Sequence, residues 1–170
     1  MKKLSIALLS LLSIANVNAA NINLTVDGGW QDFYFDDAGT SWEDTFSFTL
    51  TEQALFTVTD AYESGDEFSF TNGITTWNTS TAILGAPNLG GNFDAALASL
   101  QFSSLSVLLG AGSYTISGFT TLSPFGSGGA AVQLSSVDVS AVPIPAAALL
   151  FAPALVGFMG LRRKAKNTAV

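Results

Sequence analysis

The chain has 170 residues, 48% of them hydrophobic, with 6 Lys+Arg against 13 Asp+Glu and neither histidine nor cysteine. All 13 acidic residues lie between Asp27 and Asp138, and all six cationic side chains stand at the two ends (Lys2, Lys3, Arg162, Arg163, Lys164, Lys166). A polyanionic middle without Lys or Arg cannot neutralise phosphates, which excludes nucleic acid as a partner and disfavours docking on anionic lipid. The missing His and Cys remove most of the means of nucleophilic catalysis and of zinc, iron–sulfur or haem ligation.

Residues 1–20 follow the order of a secretory signal peptide. Lys2-Lys3 precede an apolar run from Leu4 to Ala15, and a small-residue stretch ends in Ala19-Ala20. The run is too short to cross a hydrocarbon core of roughly 30 Å. Export through the Sec machinery and cleavage by signal peptidase after Ala19 or Ala20 are expected.

Residues 21–141 are long enough for one core, and period-2 alternation dominates them. Phe33 and Phe35 alternate with Asp32, Tyr34 and Asp36; Phe46, Phe48 and Leu50 with Thr45, Ser47 and Thr49; Phe68 and Phe70 with Glu67, Ser69 and Thr71. Each reads as a strand with one wet face. Further strands are expected over 22–26, 55–60, 73–77, 102–109, 113–120 and 130–139, divided by turns rich in Gly and polar residues. One short helix is expected over 93–100, capped by Asn92. About nine strands at that spacing predict an all-β fold, an antiparallel β-sandwich of jelly-roll type.

Two features of this segment suggest chemistry. The stretch from Asp60 to Glu67 carries four carboxylates (Asp60, Glu63, Asp66, Glu67) around Gly65, and oxygen ligands on a loop are what Ca²⁺ takes. It is not an EF-hand loop, because counting from Asp60 puts Tyr62, Ser64 and Thr71 where that motif needs ligands. The plain alternative is a solvated turn with an Asx-type hydrogen bond. Asp32, Asp36, Asp37, Glu43 and Asp44 form a looser acidic group. Trp30 falls in period with the wet face of its strand and Trp42 lies in a loop beside Glu43. Both are therefore expected to be exposed and able to stack on sugar rings, with core packing as the alternative. Paired carboxylates alone can also hydrolyse glycosides, although nothing in the spacing favours it.

From Val142 to Leu161 the chain is uncharged and apolar, about 30 Å long as a helix and so of bilayer length. Arg162, Arg163, Lys164 and Lys166 follow, a cationic flank that marks the cytoplasmic side and puts the acidic domain outside. Val142-Pro143-Ile144-Pro145 opens the span, and its prolines keep that strip extended at the membrane surface. This Val-Pro-x-Pro motif, short span and Arg-rich end, on a chain with a signal peptide, resembles the PEP-CTERM family of bacterial surface proteins. Ile144 in place of the usual glutamate makes it look like the Val-Pro-Leu-Pro-Ala variant. The resemblance implies that 142–170 is a sorting tail cut near the prolines by exosortase, a membrane-embedded transpeptidase. The order of features in the ectodomain is also similar to domains often attached to such tails: the aromatic opening Trp30–Phe35, then Gly65-Asp66-Glu67-Phe68, then Gly110–Ile116.

The expectation is thus an exported, non-enzymatic protein, first anchored by its C-terminal transmembrane helix. After tail cleavage it would be associated with the cell surface or the exopolysaccharide matrix. A Ca²⁺-dependent carbohydrate-binding module is the alternative and a glycoside hydrolase the lesser one. Ca²⁺ is the one candidate cofactor.

Overall fold

The computed structural model describes residues 19–137. The leader up to Asn18, the expected span 142–161, the motif Val142–Pro145 and the basic cluster Arg162–Lys166 lie outside the described residues. Among those described, no helix is long and apolar enough to cross a membrane.

Nine strands and one short helix follow one another: β1 (Ala20–Asn23), β2 (Trp30–Phe35), β3 (Asp44–Leu50), β4 (Ala54–Asp60), β5 (Glu67–Thr71), β6 (Thr76–Asn78), α1 (Phe93–Ala98), β7 (Ser104–Leu109), β8 (Gly112–Leu122) and β9 (Gly128–Ser136). They form two sheets, β1-β3-β8-β5-β6 and β2-β9-β4-β7. The chain changes sheet at nearly every connection, so sequential strands mostly face each other across the core.

That core is aromatic. The alternating residues of β2, β3 and β5 point inward as their spacing predicts: Phe33, Phe35, Phe46, Phe48, Phe68 and Phe70 are buried. Rings from opposite sheets meet, with Phe48 stacked on Phe56 at 5.7 Å and Phe33 edge-on to Phe46 at 6.0 Å and to Phe68 at 5.7 Å. Each such ring contributes about 1.5–3 kcal/mol by leaving water. The fold is therefore an all-β sandwich whose interior is a lattice of offset and edge-to-face rings.

The central strand β4 does not alternate. Only Leu55 in it is not buried, because α1 and its neighbours cover the outer face. Phe93 and Ala96 of α1 pack there with Ala61, Phe102 and Ala131. The helix starts where the sequence says it should, since the Asn92 side chain accepts from Ala95 N–H at 3.2 Å. It ends at Ala98, two residues before the expected limit.

Two expectations are corrected. Pairing is not wholly antiparallel, for β1 runs parallel to β3, with Ala20 opposite Asp44. Because β2 lies in the other sheet, the chain re-enters the first sheet in the direction in which it left, as a crossover requires. The strand expected over 73–77 is reduced to 76–78. Asn72 Oδ1 accepts from the N–H groups of both Ile74 and Thr75, and Gly73 takes φ of 84°. This Asx turn uses the donors that a strand would need.

Candidate functional site

The connection from β4 to β5 passes from one sheet to the other and carries the acidic stretch. Its first carboxylate, Asp60, ends a strand covered on both faces and is fully buried. Tyr62 N–H donates to Asp60 Oδ1 at 3.3 Å, the Asx bond expected of the turn, while Oδ2 has no partner. Burial, and next the charge of Asp66, push the Asp60 carboxyl up to about 7, against a downward pull from the backbone amides of Tyr62, Ala61 and Asp66.

Asp66 is 6% exposed, and its Oδ1 is likewise without a partner. Burial pushes its carboxyl up to about 6, the Ser123 hydroxyl lowers it and the charge of Glu63 raises it. Ser123 donates its single proton to the Gly126 carbonyl, so its restraint on Asp66 is weaker than its proximity suggests. Ser64 between them is buried and accepts from Ala86 N–H at 2.9 Å. Gly65 sits at φ of 144°, and a Cβ there would come within 2.7 Å of Leu84 and 3.0 Å of Pro124. The turn is consequently packed in place rather than solvated. Glu63 is exposed and Glu67 half-buried, its Oε1 accepting from Ala82 N–H at 3.3 Å.

Asp66 and Glu63 line an open cleft of about 640 Å³ together with Asp36, Glu43 and the rings of Tyr34, Tyr62 and Phe125. Gly128 and Gly129 of β9 form part of its wall. Tyr34 stands opposite Gly129 across the strand pair, and a Cβ on Gly129 would lie 3.5 Å from Tyr62 and 3.6 Å from Tyr34. Both tyrosines therefore lie in van der Waals reach of the Gly129 backbone position. Tyr34 and Phe125 are 61% and 59% exposed. Burial, together with the nearby Asp32 and Tyr34, raises the Tyr62 hydroxyl above its ordinary value. The cleft offers flat apolar faces beside oxygen acceptors.

The two candidate tryptophans do not form this site. Trp42, expected in an exposed loop, is 3% exposed and stacks on Phe33 at 4.1 Å. It is accommodated because residue 118 is glycine, where a Cβ would sit 2.0 Å from the indole. Trp30 is half-buried; its Nε1 donates to Asp94 Oδ1 at 2.8 Å and its ring lies 5.5 Å from Phe93. It fastens α1 to β2, on the strand face it shares with Tyr34. Of the looser acidic group, Asp36 and Glu43 reach the cleft, whereas Asp37 caps its own turn by accepting from Ala38 N–H at 2.7 Å. Among the described residues no three carboxylates converge as a ready metal cage. The expected quartet separates into the buried pair Asp60 and Asp66, the exposed Glu63 on the cleft beside Asp66, and the half-buried Glu67 tied to Ala82. Ala19 and Ala20 are exposed, with Ala20 opening β1.

Tyr34, Tyr62 and Phe125 are the site residues that sequence reasoning passed over. Tyr34 was legible as the wet position between Phe33 and Phe35. Phe125, an aromatic within Pro-Phe-Gly-Ser-Gly-Gly, is a large apolar ring on a turn between strands.

No protein-family model matches the chain, and neither does any curated protein. Among solved structures, the pre-peptidase C-terminal domain of a collagenase from Bacillus anthracis is similar over 69% of this chain and 94% of that one, at 10% identity and a TM-score of 0.38.

Proposed function

We propose that this is an exported, non-enzymatic protein of the cell surface or extracellular polysaccharide matrix, delivered by its PEP-CTERM-like tail, which holds polysaccharide in the cleft framed by Tyr34, Tyr62 and Phe125. The observation that carries this reading is the exposure of Tyr34 and Phe125 beside the carboxylates of a preformed cleft. Aromatic faces pack on the apolar faces of sugar rings, and carboxylates accept from their hydroxyls. A surface without Lys, Arg or His favours a neutral glycan, since an acidic one would be repelled. The finer fold assignment is a jelly roll with β1 added at one edge. It is supported by the strand order, in which β2-β9-β4-β7 faces β3-β8-β5-β6.

Electrophoresis through gels containing neutral glycans, or polysaccharide from the native envelope, tests the cleft. Retardation of the wild type that is lost in Tyr34→Ala and Phe125→Ala is the expected result; equal mobility of all three rules the cleft out. The intact mass of the protein recovered from envelope and medium tests the sorting. A species beginning at Ala20 or Asn21 and ending between Pro143 and Ala146 is expected, and a mass that runs through Val170 would replace sorting by a permanent anchor.

A second reading has one observation in its favour. Asp66 lines the cleft with its carboxyl held up at about 6 and Glu63 beside it, and a raised acid next to a second carboxylate is the equipment of a glycoside hydrolase. Release of reducing ends by the wild type and not by Asp66→Asn would install this reading in place of the first.

A further inference from the structure

We propose that Asp60 and Asp66 form a Ca²⁺ site in the crossing from β4 to β5, next to the cleft that Asp66 lines. The two carboxylates are 0% and 6% exposed, and each has an oxygen with no hydrogen-bond partner, Oδ2 of Asp60 and Oδ1 of Asp66. Orphaned buried carboxylate oxygens are rare because an unpaired charge away from water is strongly unfavourable. Such groups are ordinarily matched by a cationic side chain. None exists here, because between Leu4 and Leu161 the chain contains no Lys, Arg or His. A positive partner has to come from solution, and the donors on offer are oxygens only. Ca²⁺ takes six to eight oxygen ligands in an adaptable arrangement, whereas Mg²⁺ demands near-ideal octahedral geometry and gives up its waters reluctantly. Two carboxylates balance its charge, and backbone carbonyls of the turn and water complete its shell.

The turn is built to hold such ligands still. Tyr62 N–H fixes Asp60 through Oδ1, Ser64 is tied to Ala86, and the space beside Gly65 is filled by Leu84 and Pro124. These contacts leave one buried oxygen of each aspartate unused, as a metal ligand would be before the metal arrives. The site stands independently of glycan binding. Its occupancy would lock the element that carries Tyr62, Glu63 and Asp66 into the cleft, and so pre-organise the surface facing the sugar.

The test reads thermal stability and needs no glycan. The full chain in detergent is stripped with EDTA and melted at pH 8 with CaCl₂ or with NaCl of equal ionic strength. Ca²⁺ well above its dissociation constant is expected to raise Tm by about 5–10 °C beyond NaCl. The shift should vanish in Asp60→Asn and Asp66→Asn and persist in Glu52→Gln, an exposed acid that precedes the opposite end of β4. Equal shifts with both salts, or an unchanged Ca²⁺ effect in the two Asn variants, would overturn the site by reducing it to charge screening. Should the Asn variants fail to fold, equilibrium dialysis of the wild type with radiolabelled Ca²⁺ decides. Saturation at about one ion per chain in roughly 0.1 M NaCl supports the site, and non-saturating or absent uptake sinks it.

Discussion

Two regions meet along β4 and follow opposite rules. Phe56 and Val58 point into a ring-lined interior where nearly every neighbour is another apolar side chain. Asp60, at the end of the same strand, is as deeply buried, yet carries an oxygen that nothing satisfies. Apart from the unpaired Trp42 Nε1 and Thr120 Oγ1, the interior asks only for apolar contact, and its stability comes from shape. The crossing is incomplete, so its stability depends on what the solution supplies, a proton or a cation. The comparison separates the part of the molecule that maintains the fold from the part that responds.

The sharpest way to break the first half of the contrast is to empty the interior. Phe33 touches Trp42, Phe46 and Phe68 as well as Phe35, and Phe33→Ala is expected to lower stability by about 3–5 kcal/mol in urea titration. Gly118→Ala asks whether Trp42 is locked in place. Its new methyl would enter the indole, and overpacking of this kind costs about 1–3 kcal/mol.

Protonation sharpens the second half. Asp60 and Asp66 have folded pKa values of about 7 and about 6, above an unfolded value near 4. The native state therefore holds protons that the unfolded chain has released, and stability must fall as pH rises from about 4 to about 7. In the EDTA-treated protein, Tm at pH 8 should lie several degrees below Tm at pH 5, and Asp60→Asn should flatten that slope. A Tm that climbs over this window would contradict the raised values. Smaller effects belong to the periphery. Asn92→Ala removes the helix cap and is expected to cost about 1 kcal/mol, and Trp30→Phe, which loses the bond to Asp94, a similar amount. Tyr34→Ala should change stability by no more than about 0.5 kcal/mol while abolishing glycan retardation.

The same division governs what could be read from the sequence. The spacing of Phe46, Phe48 and Leu50 announces its strand because one face is wet, and local alternation is enough. In β4 both faces are dry, yet Phe56 and Val58 alternate with Thr57 and Thr59, so the spacing reads as a strand with one wet face and hides the burial of the other. Trp42 was misplaced for a related reason: its neighbours in sequence are polar, and the space that receives it is made by Gly118 in another strand. Whether the acids of the crossing are solvated or buried is a tertiary fact too, since Asp60 is enclosed by elements as remote as β9 and the segment around Phe102. The Asx bond at Asp60 was foreseeable, but the burial around it was not. The cleft likewise joins Tyr34, Tyr62 and Phe125, three residues with no common motif.

The pairing of β2 has a consequence in time. Among the described residues its one strand partner is β9, with Trp30 opposite Gln133, beside a single bridge from Phe35 to Trp42. A chain that emerges from its N-terminus must therefore hold β2 without its strand partner β9 until almost all of the sandwich has appeared. Closing so long a loop makes folding slow, and the waiting strand is the segment most prone to pair with another copy. Asp32, Asp36 and Asp37 place like charges on that strand and its exit at the stage when misassembly is the greatest hazard.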